Sequence, residues 1–298
     1  MEHENRDESP KLSVVIASKV GDPFIDACLR SVEAETKALG AEVVVVAAGE
    51  KRYADRIARD FDWVRVVHAP ELAKVPALRR RGVEESKGEL VAIIEEHCAA
   101  GPDWLHRALE AHAKGDYGAV GGPIFDDDYD RLRDWVTYFV EYNGAMPPAP
   151  EGETSALSDV NIVYRREVLT DHMHLLDEGY WQMTLHGTLV DEGVRFLSVP
   201  DMVVRHLGPW NFFYYMHQRF LFSRAYGGVR AQSQSPIRRI AYLLGAPIIP
   251  VMLLIRMART VREKRCRVPE FYRTLPLIVP ALVVLSLIHI SEPTRLRR

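Results

Sequence analysis

The sequence predicts an α/β fold built on a mostly parallel sheet with helices on both faces. Short runs rich in valine and isoleucine alternate with segments of helical periodicity through the first half of the chain. Nearly continuous apolar runs are typical of strands buried on both faces, and helices between such strands indicate parallel pairing. The chain has 298 residues, 47% of them hydrophobic, which is enough for one large domain and an appendage.

Four strands and four helices alternate in the first half. The apolar runs predict strands at 12–17, 42–47, 64–68 and 89–94, and the periodicity between them predicts helices at 24–39, 53–60, 76–87 and 103–114. Pro76 lies in the first turn of the third helix, and Gly40 and Gly88 follow the first and third helices. Proline near the start of a helix and glycine just past its end are typical boundaries.

The second half has a weaker pattern. Residues 117–124 predict a strand whose small residues allow close approach to a ligand, and 147–155 predict a mobile loop. Loops of this kind close over substrates in many enzymes. A helix is predicted at 180–192, followed by short strands at 196–200 and 202–205.

Composition excludes several classes of protein. The formal net charge of −3 gives no sign of bulk nucleic-acid binding. Cys28, Cys98 and Cys266 are odd in number and widely spaced, so neither a disulfide framework nor a zinc motif is predicted. A reducing compartment fits this cysteine usage, and the polar first ten residues lack the apolar stretch of a secretory signal.

A short acidic segment ends the fourth predicted strand. Glu95, Glu96 and His97 follow the apolar run at the position where an open α/β sheet usually binds its ligand. Carboxylate oxygens together with one imidazole suit Mn²⁺ or Mg²⁺, and the nitrogen favours Mn²⁺. A divalent metal here would hold the phosphates of a substrate; the alternative is an acidic strand end exposed to solvent.

The segments around this triplet resemble those of family 2 glycosyltransferases. Pro76-Ala-Leu-Arg-Arg-Arg-Gly82 and Gly88-Glu-Leu-Val-Ala92 precede it, and Gly101-Pro-Asp-Trp104-Leu follows it. The family usually shows an Ala-Arg-Asn-x-Gly helix, a Gly-Glu-Tyr strand, an Asp-x-Asp metal motif and a Pro-x-Trp-Leu turn in this order. The resemblance covers about residues 11–230 and implies a Rossmann-like GT-A fold and inverting transfer of a sugar from a nucleotide-diphosphate donor.

The resemblance also implies a donor and metal site. The implied donor-binding residues are Ala17, Ser18, Glu50, Arg79, Glu95, Glu96, Arg219 and Arg224. The implied metal residues are Glu96, His97 and His206. His97 replaces the family's final carboxylate, which removes one negative charge and makes Mn²⁺ more suitable than Mg²⁺. Arg219 and Arg224 are comparably compatible with a role at a membrane surface.

The acceptor side and the catalytic base are predicted from the same resemblance. The implied acceptor-binding residues are Asp159, Asn161, Arg166 and Trp181. Relatives often carry an acidic base where this chain has Gln182, and glutamine cannot accept the proton of the acceptor hydroxyl. Either Glu178 or Asp177 serves as the base, or activity is lost, and Asp177 is better placed as a helix N-cap.

The nucleotide base is not identified by the sequence. Relatives commonly end the second strand with aspartates that contact the base, whereas this chain has Val46-Ala-Ala-Gly-Glu50. Uracil recognition through such an aspartate is therefore unsupported, and Glu50 is the candidate substitute.

Two apolar runs near the C-terminus predict membrane association. A helix over 240–255 would be about 24 Å long, short of the roughly 30 Å hydrocarbon core, so a shallow or re-entrant segment is predicted. A true span is predicted to begin near Leu275, and the basic stretch 256–273 between the runs favours the cytoplasmic side. The alternative is a buried helical hairpin of a soluble domain.

Four regions are predicted along the chain. Residues 1–10 are a disordered polar terminus, 11–232 the glycosyltransferase domain, 233–284 a membrane-associated region and 285–298 a non-native tail. The tail contains Leu285-Ser-Leu-Ile-His-Ile-Ser-Glu-Pro-Thr-Arg295, which resembles the translation of a sequencing adapter and is excluded from fold predictions. The native C-terminus is accordingly predicted to be missing.

The predicted function is metal-dependent sugar transfer to a polysaccharide or lipid-linked acceptor at the cytoplasmic face of a bacterial inner membrane. A non-catalytic relative acting as a scaffold subunit is an alternative, motivated by Gln182 and Ala47-Ala48. A nucleotidyltransferase ranks last because Val20-Gly-Asp-Pro23 is a poor glycine-rich phosphate loop. A dinucleotide dehydrogenase is disfavoured because no G-x-G-x-x-G follows the first strand.

Overall fold

The chain divides into two compact units. The first comprises Met1–Phe125 and Ala149–Leu207, and the second comprises Asp126–Pro148 and Gly208–Arg298. The computed structural model describes residues 10–19, 23–72, 74–176, 181, 184–208, 213, 216–217 and 248–291. The predicted borders near residues 10, 232 and 284 stay predictions.

The first unit contains an eight-stranded sheet that is mostly parallel. Its strands are β1 Leu12–Ser18, β2 Glu42–Ala47, β3 Arg65–His68, β4 Leu90–Glu95, β6 Ala119–Gly121, β8 Gly152–Thr154, β9 Asn161–Arg165 and β10 Phe196–Ser198. Their order across the sheet is β3-β2-β1-β4-β9-β6-β10-β8. Strands β8 and β9 run antiparallel to their neighbours, and the remaining pairs are parallel.

A second, small sheet lies in the same unit. It consists of β5 Cys98–Ala100, β7 Ile124–Phe125 and β11 Val204–His206, with β11 in the centre. The helices of this unit are α1 Ile25–Leu39, α2 Lys51–Asp60, α3 Val75–Glu85, α4 Trp104–Ala113, α6 Arg166–Thr170, α7 Met173–Leu176 and α8 Leu185–Asp191. The predicted α/β class and the four predicted helices of the first half are therefore confirmed.

Both faces of the large sheet are covered by helices. On β1, Val14 and Ile16 belong to a buried cluster that includes apolar residues of α1 and α4. The alternate residues Val15 and Ala17 face the other side, in clusters that include residues of α3. Because successive side chains of a strand point to opposite faces, burial on both sides requires the continuous apolar runs seen in the sequence.

The predicted strand at 117–124 is wrong as a single element. It divides into β6 of the large sheet and β7 of the small sheet, with Gly122 between them. A Cβ atom on Gly122 would lie 2.1 Å from the carbonyl oxygen of Met202, so the backbones approach too closely for any side chain. This close packing lets the chain cross directly from one sheet to the other.

Three other boundaries differ from the prediction. Helix α3 ends at Glu85, and Gly88 instead packs against β1, where a Cβ atom would lie 2.6 Å from the backbone nitrogen of Ser13. The predicted loop 147–155 contains the edge strand β8, which pairs with β10. Helix α8 covers the later part of the predicted helix 180–192, whose residues 180 and 182–183 lie outside the described residues.

The second unit is helical in its described residues. It contains α5 Leu132–Tyr142, a 3-10 turn at Asn143–Ala145, α9 Ile249–Lys264 and α10 Val268–Ser291. The rings of Phe139 and Phe271 lie 5.2 Å apart and join α5 to α10. Among the described helices, none combines the length and apolar character that crossing a membrane requires. The span predicted to begin near Leu275 falls within α10 and is not confirmed.

Candidate functional site

The carboxyl ends of three parallel strands meet at one edge of the large sheet. Ala17 lies beside Glu95 in the β1–β4 register, and Ser18 lies beside Ala47 at the end of β2. Glu50 follows β2 at the first turn of α2, where its exposed carboxylate forms an ion pair with Arg52. The fold therefore brings most of the predicted donor-binding residues to the edge where open α/β sheets bind ligands.

The carboxylate of Glu96 is attached to the end of β1. One oxygen accepts a hydrogen bond from the hydroxyl of Ser18, and the other accepts one from the backbone N–H of Lys19 at 3.0 Å. The Ser18 hydroxyl also lies 2.8 Å from the hydroxyl of Tyr53 on α2. Tyr53 is not among the residues that the sequence predicts for this site, although its position in the first helical turn after β2 could have indicated it.

Arg79 forms a buried bridge between two carboxylates. One terminal nitrogen donates to Glu95 and the other donates to Asp159, each at 2.8 Å. The guanidinium carbon lies 5.6 Å from the ring centre of Trp181. Burial alone would lower the pKa of Arg79, but the two carboxylates more than offset it and raise the pKa, so the group is always charged. Its two bridging contacts therefore fix the predicted donor side relative to the predicted acceptor side.

Glu95 connects Arg79 to a pair of histidines. The Nε2 atom of His97 lies 2.8 Å from Oε2 of Glu95, and the rings of His97 and His206 lie 5.1 Å apart. Burial raises the pKa of Glu95, but His97 and Arg79 offset this and lower it to about 2. Burial, followed by the charge on His97, lowers the pKa of His206. At neutral pH the cluster thus offers a carboxylate and a neutral imidazole, both competent metal ligands.

The donor set of this cluster fits a divalent transition ion. Ligand atoms of Glu95, His97 and Cys98 lie within 4.8 Å of one another. Burial raises the pKa of the Cys98 thiol well above its ordinary value, so sulfur is a poor ligand at neutral pH. A carboxylate with an imidazole suits Mn²⁺ or another transition ion better than Mg²⁺, which prefers oxygen ligands and near-ideal octahedral geometry.

Asn161 has a structural role in the described contacts. Its side-chain nitrogen donates to the carbonyl oxygens of Pro123 and Met202, and its oxygen accepts from the indole N–H of Trp104 at 2.8 Å. The residue is fully buried. It therefore joins the large sheet to the β6–β7 and β10–β11 connections, and its predicted role in acceptor binding stays a prediction.

Arg166 lies away from the Arg79 bridge, whereas Trp181 packs against it. Because β9 is antiparallel to β4, Arg166 lies beside the amino end of β4, where it bonds the carbonyls of Val83 and Gly88. This position is at the opposite edge of the sheet from Glu95. Trp181 is fully buried, and its ring lies 6.0 Å from that of Tyr164 in the core. Of the predicted acceptor residues, Asp159 contacts Arg79 through a partly exposed carboxylate, and Trp181 contacts it through its ring.

The remaining predicted residues cannot be located. Asp177, Glu178, Gln182, Arg219 and Arg224 lie outside the described residues. Their predicted roles as base candidates and late basic element stay predictions. A buried pair that the sequence did not indicate lies beside the bridge: the Tyr164 hydroxyl is hydrogen-bonded to Nε2 of His186, 22 positions away.

Comparison with known proteins identifies the family. The model of glycosyl transferase family 2 matches residues 13–173, more than half of the chain and nearly all of the described site. The chain belongs to glycosyl transferase family 2. Membership confirms the predicted enzyme class, a glycosyltransferase.

Relatives of this family 2 chain agree with that assignment. Glycosyltransferase AglE of Haloferax volcanii is 24% identical over 206 residues, which cover 66% of this chain and 67% of AglE. Glucosyl-dolichyl phosphate glucuronosyltransferase of the same organism is 31% identical over 90 residues, only 29% of either chain. The mannosyltransferase PcManGT from Pyrobaculum calidifontis, solved with GDP-Man and Mn²⁺, has a TM-score of 0.62 and 16% identity, covering 96% of this chain and 89% of that one. The structural likeness supports the GT-A-like fold.

Proposed function

We propose that the chain is an inverting, divalent-metal-dependent glycosyltransferase that uses a nucleotide-diphosphate sugar. The observation that carries this proposal is the continuous chain of contacts from Asp159 through Arg79 and Glu95 to His97 and His206. It lies where the parallel strands end, and it combines acidic, cationic and imidazole groups in one cluster. PcManGT, solved with GDP-Man and Mn²⁺, has a similar fold and supports this donor and metal class.

Each part of the cluster has a role in the proposed reaction. Glu95, His97 and His206 would hold the divalent ion, which when bound stabilises negative charge on the leaving diphosphate. Arg79 orients Glu95 and keeps its carboxylate ionised, because a buried carboxylate without a cation would take up a proton. Ser18 and Glu96 fix the end of β1 at the edge that would receive the nucleotide. Glu178 is the candidate that accepts the acceptor's proton.

The acceptor we propose is a lipid-linked sugar or a growing glycan at the cytoplasmic face of a bacterial inner membrane. One relative acts, by its name, on a glucosyl-dolichyl phosphate, which supports a lipid-linked acceptor. The basic stretch 256–273 supports a membrane location, since positively charged segments favour the cytoplasmic surface.

A non-catalytic role is the second candidate because Gln182 occupies the position where relatives carry the base. Thermal stabilisation of the full chain by UDP, GDP, dTDP or CDP, with and without Mn²⁺, tests donor binding. Metal-dependent stabilisation by one nucleotide, lost in His97→Ala, is the expected result and identifies the base of the donor. A folded chain stabilised by none of them would favour the non-catalytic role.

A further inference from the structure

The exposed face of α9 changes character along its length. At its amino end the exposed side chains are apolar: Ile248, Val251, Met252 and Ile255, of which the last two are each 63% exposed. Toward its carboxyl end the exposed side chains include Arg256, Arg259 and Arg262. A group of large apolar side chains that stays exposed marks an interaction surface, whereas single exposed apolar side chains are ordinary.

These side chains form one continuous stripe. Positions 248, 252, 255, 259 and 262 recur every three or four residues, which places them on the same side of a helix. The side of α9 that packs within its own unit is marked by buried Met257 and Val261. The stripe is therefore the outward face, and the core does not account for its apolar residues.

Helix α10 shows the same separation of basic and apolar side chains along its length. A short link, residues 265–267, joins α9 to α10, so the two helices form a hairpin. Near the turn, Arg262 donates a hydrogen bond to the hydroxyl of Tyr272 at 2.6 Å. Away from the turn, Val279 and Val283 of α10 are exposed. The turn end of the hairpin is therefore cationic, and the described part of its open end is apolar.

We propose that the outward stripe of α9, with its apolar residues Ile248, Val251, Met252 and Ile255 and the basic residues of the hairpin beside them, docks on an anionic lipid bilayer. The inference rests on the membrane location in the proposed function and names the surface and the lipid charge. The apolar stretch of α9 extends about 10 Å along the helix. Interfacial helices lie in the plane of the membrane and bury an apolar face of this kind between the lipid headgroups and the acyl chains. The arginines then lie at the level of the lipid phosphates.

Charge favours a bilayer over a second copy of the chain. Residues 256–273 contain seven basic and two acidic side chains, although the whole chain carries a net charge of −3. A second copy would bring the same positive charge to the interface, whereas an anionic surface attracts each arginine by about 1 kcal/mol. The combination of an apolar end with flanking arginines thus fits an anionic membrane best.

Vesicle sedimentation of the full chain tests the apolar part of the face. The vesicles contain phosphatidylcholine alone or with one third phosphatidylglycerol. The double substitution Met252→Glu and Ile255→Glu should lower the partition coefficient on the mixed vesicles by about tenfold or more, because two exposed apolar side chains no longer enter the lipid. Val190→Glu changes an exposed apolar residue of α8, in the other unit, and should leave binding unchanged.

Vesicle binding by charge-reversal variants tests the basic part of the face. Arg256→Glu and Arg273→Glu should each weaken binding to phosphatidylglycerol-containing vesicles by about fivefold or more, and binding to phosphatidylcholine alone should be weak from the start. Arg59→Glu makes the same charge change on exposed α2 and is the control. Added salt should weaken binding of the wild type more than that of the charge variants.

Three results would overturn the proposal: no binding to either vesicle by a folded chain, equal binding by the face variants and wild type, or a face variant that changes only the oligomeric state. The last would assign the face to a second copy. Nucleotide-dependent thermal stabilisation is measured on the same samples. If nucleotide-dependent stabilisation persists while vesicle binding fails, the docking surface is wrong and the proposed transferase is unaffected. If vesicle binding persists while nucleotide-dependent stabilisation fails, the proposed transferase is wrong and the docking surface is unaffected.

Discussion

The guanidinium of Arg79 lies 2.8 Å from the carboxylate of Glu95, and this contact is buried at the carboxyl end of β4. The same guanidinium holds Asp159, a residue 80 positions later in the chain. A charged bridge in this place does two things at once. It balances the negative charge of the two carboxylates, and it fixes the beginning of β9 against the end of β4.

Removal of the bridge should destabilise the protein. Arg79→Ala leaves two carboxylates without their buried cation, and such a loss costs about 3 kcal/mol. We expect the free energy of unfolding in urea to fall by that amount. Arg81→Ala, on the same helix, breaks an exposed ion pair with Glu85 and should cost less than about 0.5 kcal/mol. Equal effects of the two variants would contradict the bridging role.

A buried histidine outside the site should govern part of the acid sensitivity. Burial lowers the pKa of His112 to about 4, with a partial offset from its hydrogen bond to the Val163 carbonyl. The unfolded chain therefore takes up a proton at a higher pH than the folded chain, and stability falls as the pH drops from about 6.5 toward 4.

The substitution His112→Leu should remove this contribution. The loss of unfolding free energy between pH 7 and pH 4.5 should shrink by about 2 kcal/mol relative to wild type. Denaturant unfolding at the two pH values measures it. His174→Leu, at an exposed position, should leave the pH dependence unchanged, and an unchanged slope in His112→Leu would refute the assignment.

The crossing between the two sheets should tolerate no side chain. Gly122→Ala places a Cβ atom against the carbonyl oxygens of Met202 and Val199, both of them backbone atoms that cannot rotate away. We expect a loss of about 2 kcal/mol or more in unfolding free energy. Gly187→Ala, on α8 with nothing within 4 Å of the added atom, should be neutral or stabilising. A neutral Gly122→Ala would mean that the two connections separate easily.

Some of these relationships could be read from the sequence and others could not. The strands of the first half were predicted to within about one residue, because burial on both faces leaves continuous apolar runs that end abruptly. Ser18, Glu50 and Glu95 were assigned to one donor site from the family resemblance, and the structure brings them to the same edge of the sheet. Of the three consecutive arginines, helical geometry allowed only one or two to point inward, and Arg79 is the one buried.

Strand direction and strand order were beyond the sequence pattern. Arg166 was predicted near the acceptor, but the antiparallel course of β9 carries it to the opposite edge of the sheet. Asn161 was assigned to the acceptor side from the family resemblance, and its amide also joins two connections that are distant in sequence. Only tertiary structure reveals such partners, since nothing local fixes them.

The catalytic base can be assigned by kinetics. Glu178→Gln should lower kcat at least about a hundredfold while the affinity for the nucleotide stays within about twofold, because general base catalysis acts in the transition state. Asp177→Ala should lower the free energy of unfolding by about 1 kcal/mol and leave kcat nearly unchanged if Asp177 caps a helix. Unchanged kcat in Glu178→Gln would remove Glu178 from the mechanism.

Metal-dependent cleavage of a nucleotide sugar tests the central claim most directly. Release of nucleoside diphosphate would be followed with Mn²⁺, with Mg²⁺ and with a chelator, for wild type, His97→Ala and the control His106→Ala at an exposed histidine of α4. The account predicts release that depends on the divalent ion, is faster with Mn²⁺, is lost in His97→Ala and is kept in His106→Ala. Release that persists in chelator, or is equal in His97→Ala and wild type, would contradict a metal-dependent transferase site at Glu95, His97 and His206.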